Sequence, residues 1–145
     1  MPRFVIMESE RAELSPALPL IYEGINELVQ EGHATWAAFA VPTSAADHVL
    51  YAISSIDQDV IGVICYGVDV DLKVITVTLI YVEHSSRKQG VCAALWAALL
   101  DRAKRLEFTV TVGPVHAENT VAQNVLHKFN CAPLAMTYIR RPNSD

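Results

Sequence analysis

The chain has 145 residues, 52% hydrophobic and 19% charged, and its 11 Lys and Arg against 16 Asp and Glu give a formal charge of −5. That length suits one domain, 1–145, with room for a sizeable core, and the apolar fraction excludes a disordered chain. The acid excess argues against nucleic-acid partners, which are held by cationic side chains, and no apolar stretch approaches the ~20 residues that a spanning helix needs.

Taken in chain order, Phe4–Met7 reads as a short opening strand. From Glu10 to Gln30 the pattern is mostly helical, with Leu14, Leu18, Ile21, Ile25, Leu28 and Val29 near a 3.6-residue stripe. Pro16 and Pro19 fall where that helix would begin or kink, and Gly32 is a stop. Pro42–Asp47 is a loop inside the domain. Val49–Ile56, Val60–Val70 and Val74–Val82 are β-branched runs separated by Asp57-Gln58-Asp59 and Asp71-Leu72-Lys73, the pattern of an antiparallel meander. Gly90–Leu106 returns to helical spacing, Phe108–Val112 is a strand, Asn119–Phe129 a helix and Leu134–Ile139 a closing strand. The order predicts a mixed α/β domain in which a parallel crossover follows a meander.

Cys65, Cys92 and Cys131 form no close pair and no metal-ligand spacing, and the N-terminus turns acidic at Glu8 before a signal-peptide core could form. Reduced thiols, a cytoplasmic location and no metal are therefore expected.

The most informative stretch is Ile80-Tyr81-Val82-Glu83-His84-Ser85-Ser86-Arg87-Lys88-Gln89-Gly90-Val91-Cys92-Ala93-Ala94. A strand ends, a polar loop turns and a long helix starts. The first N–H groups of a helix lack intrahelical partners, and with the helix dipole they favour an anion such as phosphate. Gly90 lets a ligand approach the backbone, and Arg87 and Lys88 add positive charge to an acidic chain. An ordinary strand-to-helix turn with solvated basic residues would carry the same physics.

This stretch resembles the acyl-CoA-binding segment of the GCN5-related N-acetyltransferases, in which Arg or Gln is followed after two residues by Gly and after one more by Gly or Ala. Arg87, Gly90 and Cys92 occupy those positions; Cys92 replaces the small last residue, Lys88 stands where Gly is common and His84 where Pro often sits. A second segment, Asn119–Asn130, resembles the family's late helix through Asn119, Ala122, Lys128 and Phe129, with Asn130 in place of the helix-ending Gly. For Asn119 a plain N-cap is the alternative. The resemblance covers about 49–139. It implies the family's acyltransferase fold, a central mixed sheet flanked by helices, with acetyl-CoA as cosubstrate. Backbone N–H groups across Gln89, Gly90, Val91, Cys92 and Ala93 would cradle the pyrophosphate, and the Leu79, Ile80, Tyr81 and Val82 backbone would pair with the pantetheine arm.

Acetyl transfer to an amine needs a free amine, a polarised thioester carbonyl and a protonated leaving group. The resemblance puts Leu126 where many members carry a Tyr that protonates the thiolate, and Leu has no proton to give. Tyr138 on the closing strand is the replacement candidate, beside a packing role; Gln123 can hydrogen-bond without being an acid. Glu83 and His84 are base candidates where the strand ends, with a solvated loop as the other reading, and His116 is a third. The Val82 N–H is the group the family would use on the carbonyl. Cys92 sits in a helix first turn but has no His fixed beside it, so a covalent route is disfavoured.

The acceptor side of this fold would be shaped by Glu23–Phe39. Glu23, Glu27 and Glu31 recur every four residues on one helix face, a reading for a cationic amine or simply a solvated surface. The expected activity is transfer of acetyl to a primary amine of a small molecule or peptide; a coenzyme A-binding module with little activity is the alternative. Part of Trp36–Val41 would be spare apolar surface for a homodimer.

Overall fold

A computed structural model describes residues 3–33, 48–134 and 140. The chain divides into two compact units, one ending at Pro114 and one beginning at Val115.

The larger unit is built on a five-stranded sheet. Its strands are β1 (Phe4–Ser9), β2 (His48–Ser54), β3 (Val60–Asp69), β4 (Val74–Val82) and β5 (Thr109–Val112), in spatial order β1-β2-β3-β4-β5. The first four pair antiparallel, and β5 joins β4 in parallel after the crossover helix α2 (Val91–Leu106). This is the expected mixed sheet with its meander and crossover. Helix α1 (Leu18–Gln30) precedes β2.

The N-terminal helix begins at the prolines, one of the two outcomes that the sequence left open there. A 3-10 turn at Ala12–Leu14 comes first, and α1 starts only at Leu18, with Pro19 in its first turn. Proline has no N–H to donate, so it is tolerated there and not a turn deeper. Phe108, assigned by sequence to the following strand, instead closes α2: its N–H reaches the Ala103 carbonyl at 2.9 Å. Of the expected closing strand at 134–139, Leu134 is irregular and exposed, and the rest lies outside the described residues.

The two helices cover opposite faces. A Cβ at Gly24 of α1 would meet the Tyr81 side chain at 2.8 Å, and one at Gly62 would meet Val91 of α2 at 2.6 Å. Tyr81 pairs with Val63, the neighbour of Gly62, and successive strand residues point to opposite faces. Ile21 and Ile25 of α1 pack with Val49, Tyr51, Val63, Cys65, Leu79 and Tyr81 in one cluster. The α2 residues Val91, Leu95, Trp96 and Leu99 are buried on the other side. With both faces covered, β3 is a continuous buried run from Ile61 to Tyr66.

A β-bulge falls where Cys65 pairs with Leu79 but Tyr66 pairs with Val77, leaving Thr78 as the extra residue. The bulge reverses which face alternate β4 residues take. Leu79 and Tyr81 therefore face α1, whereas Val77, paired with Tyr66, faces α2 although all three share one parity in sequence.

The smaller unit contains α3 (Thr120–Lys128), capped by Asn119, whose Oδ1 accepts the Ala122 N–H at 3.2 Å. It closes with Asn130 at φ 63°: the Asn130 and Cys131 N–H groups reach the His127 and Leu126 carbonyls at 3.0 and 2.9 Å. Such an ending needs one left-handed residue, and Asn tolerates that conformation as the sequence reading expected.

Candidate functional site

Strand β4 outruns its parallel neighbour. Pairing with β5 ends at Val77 and Val112, and the Gly113 N–H closes onto the Val77 carbonyl at 2.8 Å. Past the Thr78 bulge, residues 79–82 pair with β3 alone and have no strand partner on the β5 side among the described residues. The Glu83 N–H bonds the Ile61 carbonyl at 2.9 Å. In an antiparallel ladder this aims the backbone groups of Glu83, Tyr81 and Leu79 at β3, and those of Ile80 and Val82 at the open edge.

The open edge runs into the start of α2. After Val82 comes a 3-10 turn at His84–Ser86, then Lys88 and Gly90 at φ 64° and 82°, both left-handed. Gly90 is the N-cap of α2 and provides no capping side chain, and a Cβ built on it would meet nothing within 4 Å. The start of α2 thus has no side-chain cap, with open space at Gly90 and Arg87 and Lys88 exposed beside it. Lys88 occupies a conformation that glycine takes without steric cost, a physical reason for Gly at that place in the resembling pattern.

Three side chains converge on Glu27 of α1. Tyr81 Oη donates to its Oε2 at 2.7 Å, His84 Nε2 lies 2.9 Å from the same oxygen, and Arg87 Nη2 lies 3.5 Å from Oε1. Arg87 Nε also donates to the Val82 carbonyl at 2.9 Å, and its guanidinium stacks over the Tyr81 ring at 5.5 Å. Partial burial pushes the Glu27 carboxyl upward, but the Tyr81 and His84 hydrogen bonds and the His84 and Arg87 charges outweigh it and leave its pKa below the ordinary value. Burial and the neighbouring Glu27 carboxylate push the Tyr81 phenol up.

Sequence reasoning placed Glu27 among three equivalent acids and gave Tyr81 a backbone role alone. Glu23 and Glu31 are indeed exposed, whereas Glu27 is tied to β4 and the turn. The signal that could have singled it out is Gly24, one turn earlier on the same face, which lets the helix approach β4 closely.

The other candidates fall in different places. Glu83 lies beside His84, and its carboxylate accepts the Ser85 and Ser86 hydroxyls, the latter at 3.1 Å, which holds the turn together. Burial pushes the Cys92 thiol up, against any thiolate favoured by the helix dipole. In the smaller unit the Gln123 amide donates to the His116 and Ala117 carbonyls, and His116 Nδ1 accepts the Glu118 N–H at 3.1 Å. Leu126 is half-buried on α3, and Tyr138 lies outside the described residues. Among the described residues, no group of three or more His, Cys, Asp or Glu could hold a metal, and no helix is long and apolar enough to cross a membrane.

Comparison with known proteins gives concordant findings. The sequence profile of the "Acetyltransferase (GNAT) family" matches residues 17–130. No curated protein matches the chain by sequence. Among solved structures, a ribosomal-protein-alanine N-acetyltransferase from Brucella melitensis biovar Abortus 2308 superposes with a TM-score of 0.64 at 17% identity, over 95% of this chain and 98% of that one. The aminoglycoside acetyltransferase meta-AAC0020 from an uncultured soil metagenomic sample, in complex with sisomicin, gives 0.66 at 9% identity over 96% of each chain. Aminoglycoside N-acetyltransferase AAC(6')-Iy in complex with CoA gives 0.64 at 19% identity, over 97% of this chain and all of that one.

Proposed function

The chain belongs to the Acetyltransferase (GNAT) family, and from that premise we propose that it is an N-acetyltransferase moving an acetyl group from acetyl-CoA to a primary amine of a small molecule or peptide. The observation that carries this reading is the open edge of β4 leading into the uncapped start of α2. Its chemistry suits the cosubstrate. The Ile80 and Val82 backbone groups are aimed where an extended arm of amides would pair as a strand does, and the Gly90 turn leaves space for an anion against the α2 N–H groups. When bound, acetyl-CoA supplies an activated acyl thioester.

Each residue then has a physical task. Arg87 and Lys88 neutralise the pyrophosphate, with N–H groups across Gln89–Ala93 completing the cradle; Cys92 and Ala93 are small enough to let it close. Val82 N–H polarises the acyl carbonyl at no reorganisation cost, because the ladder already orients it. His84 takes the amine's proton, since Glu83, the other candidate at the strand end, has its carboxylate occupied by Ser85 and Ser86. Asn119 caps α3 and, by the family resemblance, borders the coenzyme. Tyr138 is the proposed proton donor to the departing sulfur, because Leu126 has no proton to give.

The acidic chain suits a cationic acceptor. The relatives named above act on aminoglycosides and on a ribosomal protein, and we extend to this chain only the amine they have in common. Calorimetry with acetyl-CoA, followed by a free-thiol assay over an amine panel, tests the reading. Micromolar binding with thiol release above the buffer rate for at least one amine is expected. Binding without release would leave a coenzyme-binding protein, and no binding would refute both. Gly90→Val should abolish binding in a folded protein, because a β-branched residue at φ 82° is strained and fills the cradle.

A further inference from the structure

Glu27 is more than part of an acidic helix face. Its carboxylate joins α1 to the end of β4 and to the turn, which lie 54 and 57 residues away in sequence. Tyr81 is 7% exposed, and its hydroxyl donates to Oε2 at 2.7 Å, so the carboxylate is braced by a side chain that is itself packed in the core. The same oxygen lies 2.9 Å from His84 Nε2.

That contact decides where the imidazole proton sits. An ionised carboxylate only accepts hydrogen bonds, so the proton must be on Nε2, and the lone pair of the neutral ring is then on Nδ1. Glu27 keeps its charge at neutral pH because the donors around it outweigh the effect of burial. The His84 side chain is 64% exposed, so its ring is open to an incoming substrate and to solvent.

We infer that Glu27 is the positioning carboxylate of His84, holding the Nε2–H tautomer so that Nδ1 is the atom that accepts the proton of the substrate ammonium. This rests on the reading of His84 as the base and adds how that base is oriented. In the step, one N–H bond of the ammonium breaks, its electron pair stays on nitrogen and makes the amine nucleophilic, and an Nδ1–H bond forms. The imidazolium has both N–H groups engaged or open to water, is stabilised by the Glu27 charge, and returns the proton to solvent. The groups facing this pair are Tyr81 from β4, Arg87 from the loop and, through its charge on Tyr81, Glu23 from α1.

The first test needs no activity. Nitrogen-15 NMR of the histidine rings in the full chain should show His84 above its titration as the Nε2–H tautomer, and Glu27→Gln should remove that preference. An Nδ1–H tautomer in the wild type, or one unchanged by Glu27→Gln, overturns the inference. In kinetics, His84→Gln should lower kcat about 100-fold, the lower range for a general base. Glu27→Gln should lower kcat roughly 10-fold with the acetyl-CoA Kd unchanged, and less than twofold further in the His84→Gln background, since the two act as a unit. Tyr81→Phe, which removes the brace but keeps the ring, should move kcat in the same direction by less. Additive losses, or a loss confined to acetyl-CoA affinity, overturn the pair and make Glu27 a holder of Arg87. If no amine elicits thiol release from the wild type, the acetyl-transfer reading fails, while the ring tautomer still decides whether Glu27 orients His84.

Discussion

Replacing Gly24 by Ala sets two opposing effects against each other. Ala is the better helix former, by about 1 kcal/mol in a helix interior. The added methyl, however, would stand 2.8 Å from Tyr81 Cγ, 2.9 Å from its Cβ and 3.2 Å from Cδ1. Rotating the ring about Cβ–Cγ relieves only the Cδ1 contact, because Cγ lies on that axis and Cβ is fixed to the β4 backbone. The helix must therefore move outward by about 0.6–1.2 Å to restore a contact of ~3.5–4.0 Å. Overpacking of this kind costs typically ~1–3 kcal/mol. The balance is a net loss of about 0–2 kcal/mol, at roughly 2–4 °C in Tm per kcal/mol for a chain approaching 150 residues. Urea unfolding of the wild type and Gly24→Ala measures it. The same outward shift lengthens the Tyr81 and His84 bonds to Glu27, so NMR should also show a weakened His84 tautomer preference. A variant more stable by the full ~1 kcal/mol, with His84 unaltered, would refute the close-approach argument.

Four further outcomes follow from particular contacts. Because the folded pKa of Glu27 lies below its ordinary 4.5, its contribution to stability is complete above that value and is lost as the pH falls through the folded pKa; urea midpoints of wild type and Glu27→Gln should converge on acidification from pH 6 to pH 3. A gap that stays constant would contradict this sign. Glu107 ends α2 in the left-handed conformation at φ 61°, so Glu107→Gly should stabilise by about 0.5–1 kcal/mol in thermal melts, the steric relief being partly offset by unfolded-chain entropy. Asn119→Ala removes the cap of a helix with no buried residue, which should cost about 1 kcal/mol and speed amide exchange across Thr120–Lys128 first. Burial raises the Cys92 thiol, so alkylation by iodoacetamide at pH 8 should be slower than for a free cysteine; a faster reaction would restore the activated-thiol reading.

The elements were legible from sequence where local physics dominates. The three helices with described ends each close on a left-handed residue whose following N–H reaches back to the helix: Gly32 after α1, Glu107 after α2 and Asn130 after α3. Gly32 and Asn130 were readable because those residue types favour the conformation. Glu107 was not, since nothing in a glutamate announces it, and the neighbouring strand was accordingly begun one residue early. The meander was readable because short Asp-rich turns separated β-branched runs, and the strand–turn–helix around Gly90 because a glycine and two cations precede a helix.

Sequence alone therefore determined the order of the described strands and helices, the sheet type and the turn that leads through Arg87–Gly90 into α2, all of which rest on spacings within about ten residues. Tertiary structure decided the rest. The Thr78 bulge turns Tyr81 toward α1 although β4 keeps an unbroken alternation in sequence, and a bulge exists only in relation to a partner strand. That turn, together with the close approach allowed by Gly24, brings Glu27 to Tyr81 and His84. No periodicity encodes a contact across more than fifty residues, because such a contact depends on how two faces pack and not on the pattern of either.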